Sequence, residues 1–330
     1  MKNKSVIVCG AGGFIGNHMV DRLKAFGNEV IGVDLHLPYF NPTRADFFYT
    51  LDLTDPSSIT QVLANHPKID WIMQFSADMG GAFYVFTGDN DANIMSNSAM
   101  INLNILRAIS CLKKPPGIFF SSSACAYPYD GTFQTCIEDT MYPANPDSEY
   151  GWEKLFSERL YMTFRKNYGI NTKIARFHNI FGSHCSWNDG KEKSPAAICR
   201  KIAECEDGGE IEIVGDGTQI RSYLYIPDCL DAILKLCECP DFHGPVNIGS
   251  EKFITINGLV HAIAFISGKK IKTKFIDGPV GVCGRTSNNK LIKEKLGWEP
   301  GISIECGLQG TYQWIDSMVK NSSEKGACPC

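Results

Sequence analysis

No stretch of this sequence approaches the roughly 20 consecutive apolar residues that a membrane-spanning helix needs, so no membrane segment is expected. Charge of one sign is also lacking. Lys and Arg number 32 against 36 Asp and Glu, and the formal net charge of −4 gives no reason to expect a nucleic-acid surface. The chain opens Met1-Lys2-Asn3-Lys4 and runs straight into an apolar segment. No secretory leader is therefore expected, and a cytoplasmic location is the default. The 14 cysteines include no CxxC pair and no Cys/His cluster at zinc spacing, so no metal site is expected. In a reducing compartment they should be free thiols, many of them small core residues. The closing Cys328-Pro329-Cys330 lacks the spacing of a prenylation signal and receives no function.

What is present is the composition of an ordinary enzyme: 330 residues, 44% hydrophobic and 21% charged, enough for one large domain or two closely joined ones. Ser5 to Cys9 is apolar without alternation, the pattern of a buried parallel strand. It leads into Gly10-Ala11-Gly12-Gly13-Phe14-Ile15-Gly16, after which Ile15 to Ala25 has helical periodicity. Glycines at this point let backbone amides and a helix N-terminus approach a pyrophosphate, which nominates Gly10, Gly13, Phe14, Ile15 and Gly16 as cofactor-binding. A second strand, Glu29 to Val33, ends at Asp34. A carboxylate about 20 residues beyond the glycines suits a ribose 2′-hydroxyl and repels a 2′-phosphate, favouring NAD over NADP. Asp52 and Leu53 follow a short extended stretch and are expected at the adenine edge.

Further on, Pro56 to His66 reads as a helix, Trp71 to Phe75 as a strand, Asn97 to Cys111 as a long helix and Gly117 to Ser121 as another buried strand. Alternating strands and helices imply an α/β fold, a Rossmann-type doubly wound parallel sheet. Ser123 and Cys125 then lie just past a strand's carboxyl end, where such sheets bind ligands. Tyr150 begins the next helix, and Lys154 follows four residues later on the same face. An ammonium beside a phenol favours the phenolate, so Tyr150 is a candidate base for a substrate hydroxyl that Ser123 holds in place.

With these residues in hand, the chain resembles the extended short-chain dehydrogenase/reductase family, the NAD-dependent epimerases and dehydratases. Within it, the likeness is greatest to members that invert C3 and C5 of GDP-mannose. It rests on Gly10 to Gly16, Ala77-Asp78-Met79-Gly80-Gly81, the Ser-Ala-Cys-x-Tyr-Pro segment around Cys125, Arg176-Phe177-His178-Asn179-Ile180 and Glu192-Lys193-Ser194-Pro195-Ala196-Ala197. Gly215 to Ser222 and Asn288 to Trp298 complete it. The resemblance implies that C4 is oxidised transiently by NAD, which acidifies the hydrogens on C3 and C5. Cys125 would be the base and Lys193 the acid on the opposite face of the sugar, before C4 is reduced again. It also implies Ala77 at the cofactor. Gly80, Gly81, Ser123, Ala124, Cys125, Asn179, Glu192, Lys193, Lys201, Gln219, Arg221 and Arg285 would line the sugar nucleotide, the arginines forking onto its diphosphate.

Residues 1–177 would form the NAD-binding domain, with a return near 222–248, and 178–330 a smaller α/β domain for the sugar nucleotide. Helices at Asn97–Cys111 and Glu149–Asn167 are amphipathic, and the resemblance implies that they form a homodimer's helix bundle. A thiol base is workable where positive charge from Lys193 and the nicotinamide lowers its pKa, and a desolvated lysine is a better acid.

Two departures from the family pattern bear on the substrate. Its Met-Gly-Gly-Met-Gly-Phe stretch reads Met79-Gly80-Gly81-Ala82-Phe83-Tyr84 here, in a loop about two residues longer, and an arginine before Arg285 is replaced by Cys283. Ala124-Cys125 stand where a 4,6-dehydratase wants an acidic residue. The rival enzymes are a GDP-heptose 3- or 5-epimerase, a UDP-sugar 4-epimerase and a UDP-glucuronate decarboxylase. A non-catalytic NAD-binding scaffold is the rival of another class.

Overall fold

The computed structural model describes residues 1–278 and 282–326; the Cys328-Pro329-Cys330 tail lies outside them. The first half alternates as the sequence pattern implies: β1 (Ser5–Cys9), α1 (Phe14–Ala25), β2 (Glu29–Asp34), β3 (Phe47–Thr50), α2 (Pro56–Asn65), β4 (Trp71–Gln74), α3 (Ala82–Phe86), α4 (Asp91–Ser110) and β5 (Gly117–Ser123). There follow β6 (Phe133–Cys136), α5 (Glu149–Tyr168), β7 (Thr172–Phe177), β8 (Ile180–Phe181), α6 (Ser194–Glu204), β9 (Glu210–Val214), β10 (Ile220–Ser222), β11 (Leu224–Tyr225) and α7 (Ile226–Glu238). The chain continues through β12 (Val246–Ile248), β13 (Phe253–Thr255), α8 (Ile256–Ser267), β14 (Lys272–Ile276), β15 (Gly284–Ser287), α9 (Lys290–Leu296) and α10 (Ile304–Gly326).

The main sheet has seven strands in the order β12-β7-β5-β4-β1-β2-β3, and all its pairings are parallel. Strands buried on both faces must be apolar throughout, which is why β1 reads Ser-Val-Ile-Val-Cys without alternation. Its odd and even residues feed two cores. Val6 and Val8 pack with Met19, Leu23 and Ile233, on the side of α1 and α7. Ile7 and Cys9 pack with Ile59, Ile105 and Tyr161, on the side of α2, α4 and α5. Full burial of each such side chain contributes about 1.5–3 kcal/mol. The sheet order turns at β1, whose neighbours are β2 and β4, and the crevice outside the strand ends at such a point is where ligands bind.

Two boundaries differ from the sequence reading by more than one residue. β5 runs to Ser123, two residues beyond the expected end, because Ser121, Ser122 and Ser123 pair with Ala175, Arg176 and Phe177 of β7. Three consecutive serines hid that strand, since they carry no apolar signal. α4 begins at Asp91, earlier than Asn97, because the polar first turn has no apolar periodicity of its own.

The smaller lobe packs α6, α8 and α10 around Ile198, Cys199, Ile202, Leu259 and Leu308, beside the four-stranded sheet β13-β10-β15-β6. β12 and α7 return to the large sheet and its first core. Among the described residues no helix is long and apolar enough to cross a membrane.

Candidate active site

The loop after β1 is closed so tightly that only glycine fits. Gly10 has φ +82°, and its amide donates to Val33 O at 2.8 Å. A Cβ on Gly16 would lie 1.9 Å from Gly10 O, and one on Gly12 would lie 2.2 Å from His36 O. Phe14 and Ile15 open α1 with their side chains turned to the first core. At the end of β2, Asp34 Oδ2 accepts the Gly12 amide at 2.8 Å and Oδ1 accepts Leu35 N at 2.7 Å. A Gly10 Cβ would meet Ser76 N at 2.9 Å, so the segment carrying Ala77 abuts the same loop. This cradle, which any Cβ would fill, fits a dinucleotide held by backbone amides at a helix N-terminus. Asp52 and Leu53 serve locally. The Asp52 carboxylate accepts Thr54 N and Oγ1 at 2.8 and 2.7 Å, while Leu53 is buried in the second core with its carbonyl bound by Asn104.

Ser123 ends β5, and the chain turns at once through Ala124–Ala126, where Ser123 Oγ accepts the Cys125 amide at 3.2 Å. The strand end is fixed from beneath by Arg176, which forks onto Glu158 at 2.9 and 2.8 Å, while Glu158 Oε1 accepts Ser122 Oγ at 2.5 Å. Sequence reading quoted Arg176 and His178 only as matching segments and missed this support. His178 is held neutral, its pKa lowered to about 4 by burial, against Asn247 Oδ1 at 3.0 Å.

Tyr150 and Lys154 share the buried face of α5, with the Lys154 ammonium 5.5 Å from the Tyr150 ring centroid and bonded to Ser121 O at 3.2 Å. The expected easing of Tyr150 ionisation is corrected here. Burial pushes the phenol well above its usual pKa, the Cys125 thiolate adds to this, and the Ser123 hydrogen bond opposes it. Burial also lowers the Lys154 pKa.

The Cys125 expectation is corrected in the same way. Burial raises the thiol's pKa and Asp147 raises it further, against lowering by Arg285, Ser123 and Lys193. Lys193 behaves as expected. Its side chain is open to the cleft, but protein around the ammonium displaces water and pulls its pKa down, with Cys125 the foremost charge acting against that. Thiol and ammonium thus sense one another across the site. No hydrogen bond or ion pair holds the ammonium among the described residues.

The remaining candidates divide. Arg221 of β10 and Arg285 of β15 are register partners and place two guanidinium groups on one sheet face. Burial and the Arg285 charge depress the Arg221 pKa. Arg285 Nη2 forms a buried ion pair with Asp147 Oδ2 at 3.1 Å without hydrogen-bond geometry, so its Nε and Nη2 edge keeps both donors unsatisfied. Glu192 accepts Arg200 Nη2 at 2.9 Å through Oε1, leaving Oε2 buried and unpartnered, as is Gln219 Oε1. Asn179, at φ +45°, spends its amide on Ser222 O, and Lys201 bonds Glu212 O at 2.6 Å. Gly80 and Gly81 pass beside the Tyr84 ring and the Glu192 carbonyl. Asp147 was not foreseen. It reads as loop polarity beside Ser148, the residue that caps α5.

Sheet order, glycine cradle and the buried Tyr/Lys pair define a Rossmann-type dinucleotide-binding protein. The chain belongs to the NAD dependent epimerase/dehydratase family, whose model matches residues 6–249, and NAD is accordingly its cofactor. GDP-mannose 3,5-epimerase 1 of Oryza sativa subsp. indica is 37% identical over 326 residues, covering 97% of this chain and 84% of the relative. GDP-mannose 3,5-epimerase of Arabidopsis thaliana is also 37% identical, covering 99% and 86%. UDP-glucuronic acid decarboxylase 5 of Arabidopsis thaliana is 26% identical, covering 93% and 87%. Among solved structures, UDP-glucose 4-epimerase with UDP-glucose from Thermotoga maritima superposes with a TM-score of 0.83 at 26% identity, covering 96% of this chain and 99% of that one.

Proposed function

We propose that this chain is an isomerase that acts on GDP-mannose in the cytoplasm, inverting C5 and C3 to give GDP-L-galactose and GDP-L-gulose. The observation that carries this reading is that Cys125 packs with Tyr150 and donates its amide to Ser123 Oγ, with the Lys193 charge close enough to act on the thiol. Oxidation and reduction at C4 alone need only Ser123 and Tyr150.

NAD, when bound, supplies the reversible oxidation at C4 and, in its oxidised form, a positive charge in the site. Ser123 orients the C4 hydroxyl and Tyr150 takes its proton. With C4 a ketone, the hydrogens at C3 and C5 are acidic because the carbanions become enolates. Cys125 removes the proton from one face, and Lys193, made a stronger acid by desolvation, delivers one to the other. The Arg285 guanidinium, whose Nε makes no hydrogen bond, with Arg221 beside it, suits the diphosphate. A homodimer through α4 and α5 belongs to the same reading, supported by the exposed Met95, Met100, Trp152 and Phe156 on those helices.

The test is product analysis. Incubation with GDP-mannose, GDP-heptose, UDP-glucose and UDP-glucuronate, followed by separation of the sugar nucleotides, should yield GDP-galactose and GDP-gulose from the first. Turnover of UDP-glucose to UDP-galactose instead would refute the reading.

A further inference from the structure

The segment that carries Lys193 has no strand pairing of its own; it is an extended stretch between the Gly190 turn and α6, with Lys193 at φ −82°, ψ 158°. What holds it comes from the other side of the cleft. Gly81 runs so close that a Cβ there would lie 2.7 Å from Glu192 O and 3.1 Å from Lys191 O. Beside this contact the Lys191 ammonium sits 4.4 Å from the centroid of the Tyr84 ring. Tyr84 is itself anchored. Its hydroxyl donates to Asp78 Oδ1 at 2.6 Å, and Asp78 is fixed in turn by Asn97 Nδ2 at 2.9 Å and by its own amide on Ser98 Oγ at 3.0 Å. The same ring packs into a cluster with Val85, Ile94, Tyr150 and Cys125. Tyr84 therefore packs against the same small core as Cys125 and reaches the segment that bears Lys193.

We propose that Tyr84 is a positioning residue: held by Asp78, it clasps Lys191 and so sets Lys193 opposite Cys125. The inference rests on the proposed inversion chemistry and assigns a task to the loop in which this sequence departs from its relatives. Tyr84 acts through Lys191 and the Lys193 backbone. Two features give the clasp its set. The Asp78 hydrogen bond keeps the phenol protonated, pushing its pKa up to about 12, so the ring remains a neutral platform. Lys191 N donates to Asp189 Oδ1 at 2.9 Å, which anchors the far end of the segment. A cation over an aromatic face at a solvent-exposed site biases the closed position by about twofold to fivefold, enough to shift which face of a short-lived enolate is protonated.

The test compares Tyr84→Leu, Tyr84→Phe and Lys191→Met in heavy water with GDP-mannose, reading deuterium in recovered GDP-mannose against deuterium in inverted product. A displaced Lys193 leaves the enolate to be reprotonated from the Cys125 face. Tyr84→Leu and Lys191→Met should therefore lower the ratio of inversion to exchange by about twofold to fivefold with exchange itself near wild type. Tyr84→Phe, which keeps the ring and loses only the Asp78 bond, should fall between. Lys191 is exposed, so Lys191→Met leaves the folded core untouched. An unchanged ratio in Lys191→Met, or inversion and exchange falling in equal proportion, overturns the proposal. Amide hydrogen exchange over residues 187–193 gives a second reading that needs no turnover. It should quicken in Tyr84→Leu and Lys191→Met. Unchanged protection there sinks the clasp even if GDP-mannose proves not to be the substrate, whereas altered protection in a wild type inert toward GDP-mannose sinks only the functional reading.

Discussion

The two walls of the cleft are built by different means. The cofactor wall is backbone: a glycine loop against strand ends, with Asp34 stitched to Gly12 and the Tyr150/Lys154 pair locked into one helix face. The substrate wall is side chains from segments far apart in sequence, and it retains buried groups without hydrogen bonds: Arg285 Nε, Glu192 Oε2 and Gln219 Oε1, with Arg285 Nη2 and Asp147 Oδ2 held only by their ion pair. Buried polar atoms without partners cost about 1–3 kcal/mol each, so a fold that keeps several in one place is storing binding capacity there. The cofactor wall is common to a family; the substrate wall is where an individual member declares its chemistry.

Substitutions should separate the walls. Tyr150→Phe removes the proposed base for the C4 hydroxyl, on which every later step depends. Oxidation at C4 and exchange at C3 and C5 should both fall, by about 10³ to 10⁴, in stopped-flow absorbance and deuterium assays; normal turnover would refute the assignment. Cys125→Ala should leave NAD binding and C4 oxidation in place and reduce exchange by about 10³, read by mass spectrometry of the sugar nucleotide. If both walls responded equally to Cys125→Ala, the division would fail. Arg285→Lys keeps the charge beside Asp147 and loses the fork, so KM should rise about tenfold with little change in kcat.

The smallest effect concerns pH. Asp147 raises the Cys125 pKa, so Asp147→Asn should let the thiol ionise at lower pH. The rising limb of the inversion rate against pH then moves down in the variant, while the falling limb, which the proposed mechanism assigns to loss of the Lys193 proton, stays. A rising limb left in place would mean that Asp147 does not face the thiol.

Legibility in the sequence follows the same division. Gly10, Gly16 and Asp34 were readable because a backbone constraint leaves glycine no substitute and a strand end fixes the carboxylate. Tyr150 and Lys154 were readable because helix periodicity is local. Cys125 was nominated by its place just past a strand's carboxyl end as well as by resemblance, and Lys193 by resemblance alone, since nothing in either segment's composition brings β5 to the stretch before α6. The Arg221/Arg285 pairing depends on a parallel register between β10 and β15, which no local pattern encodes. Asp147 passed for a loop residue, and the opposed effects of burial on Tyr150 and Lys193 required knowing what surrounds them.

The central claim is carbon-acid epimerisation through the Cys125/Lys193 pair, and incubation of the wild-type protein with GDP-mannose in heavy water tests it most directly. The account predicts one or two solvent deuterons, at C5 and C3, in newly formed GDP-galactose or GDP-gulose. Conversion of GDP-mannose to a product epimeric at C4 alone, with no solvent deuterium on carbon, would contradict it.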